Sequence, residues 1–523
     1  MSLEEKYKKE DLQNHIYNTP DTYVGGCDLI VEQLQVFEPS KNKIINKECE
    51  YIPALFNIYN EILVNSKDQV TRLNELYKKN KSVNCVTEIK INIDKEKGEI
   101  SIMNNGDGID IVEHPKEKKN GKPIYIPQLI FGELLTSTNY NKDEKKVVGG
   151  KNGYGAKLTN IFSKSFKLET IDSLRKKKYT QLFRGNMKII SKPKISDYSG
   201  KPYTKITWIA DFNRFGIKNY SDDMINLMIR RVYDIAGITD KSVSVYLNKK
   251  KLSVKNFSDY SKMYLNDEVL VYDEFINNNI PWKIGVSISN SDNFEQISFV
   301  NGICTSKGGK HVDMISKMLT SSLKKVLKKK CKRDINETYI KNYLRIFVDT
   351  LIVNPSFDSQ TKERLITTAS KFGSKPEISD KFIKQIIDKT DILDRVIQFS
   401  EFKMNKQSKK TDGSKRNKIR DIPKLDDANW AGTRKSEKCI LILTEGDSAK
   451  SMAISGLSVV GRDIYGAFPL KGKVMNVRDA SLDQIMKNSE ITNLKVDNKK
   501  IKYIEINNIK KIEADYVISN VDT

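Results

Sequence analysis

The sequence predicts a multidomain α+β protein: two α+β units, a basic linker and a short α/β unit. Three observations carry this. The chain has 523 residues, more than one hydrophobic core organises. Residues 51–70 (YIPALFNIYNEILVNSKDQV) space their apolar positions as an amphipathic helix, and within 87–105 EIKINID and EISIMN alternate as strands around a Lys/Gly turn. Much later, CILILTEGDSAKS sets an apolar strand, a turn and a helix after the polar run 404–421, MNKQSKKTDGSKRNKIRD, which predicts a mobile linker.

The remaining elements follow in order. Residues 149–157 are Gly-rich and lead into LTNIF, a predicted helix. Residues 223–237 (DMINLMIRRVYDIAG) predict a helix stopped by Gly237. The block up to residue 400 mixes strands (ISFVNGI, LRIFVDTLIV) with helices. The expected domains are therefore 1–237, 238–400, a linker over 401–435, and 436–523.

Ninety Lys and Arg face 67 Asp and Glu, a net charge of +23. Such a surplus points to a polyanionic partner, nucleic acid first, the plainer alternative being a biased composition rich in Lys, Asn and Ile. The six Cys form no CxxC pair and none has one of the three His at metal-ligand spacing. Zinc and disulfide frameworks are not expected, and the pattern suits a reducing compartment. No N-terminal apolar run reads as a signal peptide, and no stretch approaches the ~18 apolar residues of a membrane span.

Glu61 and Asn65 lie four residues apart, on one face of the predicted helix. A carboxylate there can orient or deprotonate a water, and an amide oxygen can ligate Mg²⁺. Surface Glu and Asn at this spacing are also common. NNGDG (Asn104 to Gly108) ends a predicted strand; its glycines let backbone approach a flat ligand, and Asn104 can hydrogen-bond a base edge. A plain turn fits it equally. Ser137, Thr138 and Asn139 precede GGKNGYGAK at 149–157, which has four glycines in nine residues before a helix. Backbone N–H groups, the helix N-terminus and Lys157 could cradle phosphate there, the ordinary alternative being a surface loop. It is not a Walker A loop, which needs GKS or GKT, nor a Rossmann fingerprint, since the acidic partner is missing.

The order of these parts resembles the Bergerat-type (GHKL) ATP site of type II topoisomerases, heat-shock chaperones, mismatch-repair ATPases and histidine kinases. The family turn is DxGxG; here Asn104 holds the Asp place, and Asp110 stands where Pro is customary. HIYNTPDTYVGG (His15 to Gly26), LIFGELLTSTNYNKDEKKVVGGKNGYGAKLTNIFS (Leu129 to Ser163), FVNGICTSKGGKHVD (Phe299 to Asp313) and NPSFDSQTKERL (Asn354 to Leu365) resemble eukaryotic-type DNA topoisomerase II, of type IIA. The likeness runs nearly the whole length and is weakest over 485–523.

The resemblance implies a GHKL ATPase sandwich, a transducer domain of ribosomal-protein-S5-like fold and a partial α/β TOPRIM domain. ATP and Mg²⁺ are the implied ligands. Glu61 would be the general base, Asn65 the Mg²⁺ ligand and Asn104 the adenine contact. Ser137, Thr138 and Asn139 match the ribose and phosphate segment. Gly150, Lys151, Asn152, Gly153, Tyr154, Gly155, Ala156 and Lys157 match the loop that closes over the triphosphate. Tyr7 matches an arm residue that reaches the partner subunit's nucleotide, which implies a homodimer through the ATPase domain. Gln360, Thr361 and Lys362 match the QTK loop, with Lys362 sensing the γ-phosphate; read without the family, a loop lysine is usually solvated.

Lys324, Lys325, Lys328, Lys329 and Lys332 follow helical spacing, and resemble the transducer lysines lining the cavity for a transported duplex. A solvated helix face is the simpler alternative. EGDSAKSMAISG (Glu445 to Gly456) resembles the start of a TOPRIM domain, with Glu445 as its metal-binding acid, and PLKGK (Pro469 to Lys473) matches a basic DNA loop that includes Lys473.

The second TOPRIM motif, DxDxDG, and the winged-helix domain with its nucleophilic tyrosine are not found. The expectation is a gene fragment, or an enzyme split with a second chain that supplies the rest of the cleavage core. The chain alone is then expected to bind double-stranded DNA and hydrolyse ATP without cutting. The rival reading is an ATP-gated DNA clamp; EGDSA with PLKGK excludes a chaperone or mismatch-repair relative. The implied location is the nucleus of a eukaryote, or the host cytoplasm or viral factory of a virus.

Overall fold

The structure, a computed structural model, describes residues 10–119, 121–136, 147, 153–289, 291, 293–332, 334–411, 424–470, 493–497, 500–506, 510–513 and 516–519. It divides into one unit over Met1–Ile397 and another over Gln398–Thr523. Among the described residues no helix is long and apolar enough to cross a membrane.

The first unit is built on a nine-stranded sheet. Its spatial order is Lys194–Asp197, Lys177–Arg184, Ser163–Asp172, Tyr203–Ala210, Glu99–Asn105, Glu88–Asp94, Ser244–Leu247 and Lys250–Lys251, with Ile189–Ile190 beside Lys177–Arg184. Neighbours are antiparallel except Ser244–Leu247, which runs parallel to Glu88–Asp94. Residues 244–251, assigned from the sequence to the second α+β unit, thus lie in the first sheet.

In Glu88–Asp94 the odd positions Ile89, Ile91 and Ile93 are buried and the even ones are not. One face therefore needs a cover. The long helix Pro53–Lys79 supplies it with Leu55, Ile58, Tyr59 and Ile62, which share a core with Ile89, Ile91, Ile102, Phe166 and Trp208. Pro53 suits the first turn because it has no N–H to satisfy.

A second helix, Asp222–Ile238, starts at Ser221, whose side chain accepts from the Met224 N–H. It does not stop at Gly237. It runs on to Ile238, and Gly237 serves close packing instead: a Cβ there would stand 2.4 Å from Tyr260 Cβ.

A second sheet in the same unit orders Val271–Asn277, Ile280–Ile288, Leu344–Thr350, Glu295–Val300 and Ile303–Cys304. Glu295–Val300 and Leu344–Thr350 are parallel, and the helix Lys310–Cys331 lies in the connection between them. It buries Val312, Ile315, Leu319, Leu323 and Leu327, an i, i+3, i+4 stripe.

In the second unit Tyr465–Leu470, Ile440–Glu445 and Tyr516–Ser519 form a parallel sheet, with the helix Gly446–Val460 connecting the first pair. Of the expected linker, residues 412–423 lie outside the described residues, and only its ends are described. The helix Ile392–Thr411 continues into it, because Lys, Gln and Met are good helix formers and no Gly or Pro interrupts them. Further on, Asp426 and Ala467 exchange backbone hydrogen bonds of 2.9 and 2.7 Å, and Asp426 pairs with Lys450 at 2.9 Å.

Candidate active site

The long helix and the first sheet border a cavity of about 730 Å³, within the range of small-molecule sites. Its apolar lining comes from Ile102, Ile109, Ile126, Phe131 and Ile206. Its polar lining includes Glu61, Asn65, Asn104, Gln360 and Lys362, which converge from distant parts of the chain.

Glu61 and Asn65 both face it, as their spacing on the helix requires. Asn65 is exposed at this surface, whereas the Glu61 side chain is only 19% exposed. Lys362 arrives from the segment after the second sheet and sets its Nζ 3.6 Å from Glu61 Oε1, itself 13% exposed. The Lys362 backbone is left-handed (φ 60°), a conformation costing a non-glycine residue roughly 1 kcal/mol. Its N–H donates to the Ser359 carbonyl at 3.2 Å, so a tight turn holds it there. Gln360 lines the same cavity; Thr361 instead lines the neighbouring one with Arg230 and Arg231.

The described end of the Gly-rich loop packs against the same carboxylate. Gly155 opens the helix Gly155–Ile161, and a Cβ on it would lie 2.2 Å from Glu61 Oε2. Only glycine leaves room for the acid. Gly153, Tyr154 and Ala156 also border the cavity. Lys157 does so too, but its ammonium donates to the carbonyls of Thr136 (2.6 Å) and Gly153 (2.7 Å). It ties together the two flanks of the segment between them. Burial pushes its pKa down to about 8, because two carbonyl dipoles do not replace water around a cation.

Asn104 sits on the sheet side, 7% exposed, with Nδ2 donating to the Asn105 carbonyl at 3.0 Å. The following Gly108 meets the sheet backbone: a Cβ there would be 2.2 Å from the Ile171 carbonyl oxygen. Asp110, in place of the customary Pro, pairs with Arg175 at 2.7 Å. Arg175 also holds Asp172 at 2.8 Å, and Asp172 accepts the Ile111 N–H at 2.9 Å. A charged bracket thus does what a rigid ring would do at that turn. Sequence reading missed Arg175 and Asp172, since nothing local marks them.

Tyr7, Ser137, Thr138, Asn139, Gly150, Lys151, Asn152 and Lys473 lie outside the described residues. Glu445 is the last residue of its strand, at the C-terminal edge of the parallel sheet, where α/β sites form. On the helix Lys310–Cys331, Lys325, Lys328 and Lys329 are exposed opposite the buried leucines. Lys324 is partly buried and pairs with Asp334 at 3.2 Å, and Lys332 is exposed just past the helix, in a left-handed cap.

An acid-bearing helix over a mixed sheet, with a lysine delivered from a neighbouring α+β domain, is the GHKL ATPase fold joined to a transducer. Comparison with known proteins agrees. The DNA gyrase B family matches residues 243–416. The chain is 44% identical over 503 residues to DNA topoisomerase 2 of Drosophila melanogaster, covering 94% of this chain and 33% of the relative. It is 45% identical over 504 residues to DNA topoisomerase 2 of Acanthamoeba polyphaga mimivirus, covering 94% and 38% respectively. The crystal structure of the ATPase region of Saccharomyces cerevisiae topoisomerase II superposes with a TM-score of 0.69 at 40% identity, over 76% of this chain and 100% of that one. The chain belongs to the DNA topoisomerase II family. It spans about a third of the length of the curated relatives it matches.

Proposed function

We propose that the chain binds and hydrolyses ATP in this cavity and works as the ATPase and strand-passage gate of a type IIA DNA topoisomerase. The observation that carries the proposal is the convergence of Glu61, Gly155 and Lys362 at one point of a nucleotide-sized cavity. Asn104, which lines the cavity, would read a base edge, and the isoleucines would offer apolar walls to a flat ring. In the hydrolytic step a Glu61 oxygen accepts the proton of the attacking water as its oxygen bonds to the γ-phosphorus and the β–γ bridging bond breaks. The Lys362 ammonium supports charge growing on the phosphoryl oxygens and holds Glu61 in place until then.

Mg²⁺, when bound, would neutralise triphosphate charge. Asn65 fits as its protein ligand, and among the described residues no group of three or more His, Cys, Asp or Glu could hold a metal. That suits an ion coordinated mostly by phosphate oxygens and water. Tyr7 would complete the site of a second copy, making the nucleotide the closure of a homodimer. Double-stranded DNA would meet the lysines of Lys310–Cys331 through its phosphates, and Glu445 with Lys473 would belong to the cleavage core, completed by further chain or by a second one.

Glu61→Gln tests the reading. Steady-state turnover should fall on the order of 10²-fold, the usual loss for a general base, while affinity for a fluorescent ATP analogue stays unchanged. Wild-type turnover in that variant removes Glu61 from the role.

A further inference from the structure

The helix that carries Glu61 and Asn65 also carries Lys67, which the mechanism above does not use. Lys67 is 6% exposed, and lysine is rarely buried unless its ammonium is paired. Its Nζ donates to Thr71 Oγ1, one turn along, at 3.3 Å. One hydroxyl is a weak replacement for water around a cation.

The charges facing Lys67 come mainly from the second sheet. Asp349, on Leu344–Thr350, and Asp68, its helix neighbour, favour the ammonium; Lys283, on Ile280–Ile288, opposes it. Asp349 also pairs with Lys283 at 3.0 Å, and Asp240 acts on Lys283 from outside.

The stem is as constrained as the head. Gly302, in the turn between Glu295–Val300 and Ile303–Cys304, has φ +85°, and a Cβ there would lie 2.8 Å from Lys67 Cδ. The methylenes of Lys67 therefore lie against this turn. The adjacent Asn301 is fully buried. Its N–H donates to the Thr350 carbonyl at 3.0 Å, its Nδ2 to the Ile352 carbonyl at 2.9 Å, and its Oδ1 accepts the Ile352 N–H at 2.7 Å. Asn301 thereby clamps the stretch by which the second sheet runs out toward Lys362.

The helix thus meets the second sheet's domain at Glu61, against Lys362, and again at Lys67, whose stem lies against Gly302. They are six residues apart, roughly 9 Å along the helix axis. The two parts already share a core through Ile297, Phe299 and Phe347, and the Lys67 contact adds a register between helix and sheet beside the Glu61–Lys362 approach. We propose that Lys67 is a positioning residue that registers the second sheet on the nucleotide helix and so fixes where Lys362 meets Glu61. The inference rests on the role given above to Glu61 and Lys362.

The test compares the wild type with Lys67→Met, Lys362→Ala and the double variant, each assayed for ATP turnover and for analogue affinity. Lys67→Met keeps most of the stem and removes the ammonium. Its kcat should fall about fivefold, within the range of residues that couple sites, with analogue affinity unchanged. In the Lys362→Ala background the same change should have no further effect, because Lys67 acts through Lys362. Asp349→Asn, which keeps shape and removes the facing charge, should lower kcat in the same way and replaces Lys67→Met if that variant does not fold. A wild-type kcat for Lys67→Met, or effects that multiply in the double variant, overturns the inference while leaving the reading of the site intact. Wild-type turnover by Lys362→Ala removes the reading, and this inference with it.

Discussion

Gly155→Ala would separate the position of Glu61, the proposed general base, from its chemistry. A Cβ at residue 155 stands 2.2 Å from Glu61 Oε2 and 3.1 Å from its Cδ, where ordinary contact begins near 3.4 Å. The carboxylate must therefore retreat by about 1 Å, and it can, because it is the free end of a flexible side chain. The backbone does not resist the change, since Gly155 is not in the left-handed region. In a helix alanine is favoured over glycine by roughly 0.5–1 kcal/mol, so the melting temperature should hold or rise slightly. Turnover should do the opposite. A misplacement of about 1 Å can cost on the order of 10²-fold, close to the loss from removing the base altogether. Retreat also breaks the 3.6 Å approach of Lys362. Phosphate release, thermal melting and analogue affinity measured on one preparation decide the matter. A Gly155→Ala enzyme with wild-type turnover refutes the argument, because Glu61 would then not act from the place the structure gives it. Lost turnover accompanied by lost analogue binding would also refute it, since the loop and not the base would have failed.

Three further outcomes are expected. His311 is fully buried, with Nε2 3.2 Å from Thr305 Oγ1, and burial pushes its pKa down to about 3 from the ordinary 6.5. Below pH 6.5 the unfolded chain takes up a proton that the folded chain refuses, so stability falls as pH drops toward 3, by on the order of 5 kcal/mol over the whole window. Urea midpoints across mildly acidic pH should show this slope, and His311→Gln should flatten it; an equal slope in both proteins would assign the acid sensitivity elsewhere. Reversing Lys325, Lys328 and Lys329 to Glu should weaken duplex binding and reduce its salt dependence by about one unit of slope per lost phosphate contact, whereas an unchanged slope leaves them as a solvated face. A non-hydrolysable ATP analogue should convert monomer to dimer in light scattering, Tyr7→Ala should weaken that conversion, and persistent monomer at saturating analogue would count against a nucleotide-closed gate.

What was legible in the sequence was the local part of the site. Glu61 and Asn65 share a face because the helix repeat puts them there, and the strand ending in Asn104 shows in its alternation. Lys362 meets Glu61 only through the fold, so the residues alone gave no reason to prefer it over any other loop lysine; the family resemblance did. Gly237 misled because a glycine late in a helix signals a stop by backbone freedom, while here it makes room for Tyr260. At the start of the polar run 404–421 helix propensity prevailed over polarity, and the helix Ile392–Thr411 enters it. Lys67 was invisible for the converse reason: a lysine on a helix is normally solvated, and the turn at Gly302 that lies against its stem arrives far later in the chain.

Asp110 shows how such a departure can be read physically. A proline at that place would stiffen the turn below Asn104 without help from elsewhere. An aspartate cannot, and it adds a negative charge beside a cavity proposed to hold a triphosphate. Arg175 answers both problems, since its guanidinium grips Asp110 and Asp172 together while Asp172 holds the Ile111 N–H. The turn is fixed by a bracket from the end of Ser163–Asp172, two strands away in the same sheet, and the added charge is paired. The cavity therefore keeps a cation, Lys362, beside Glu61 without an unpaired carboxylate at Asp110 to compete for it.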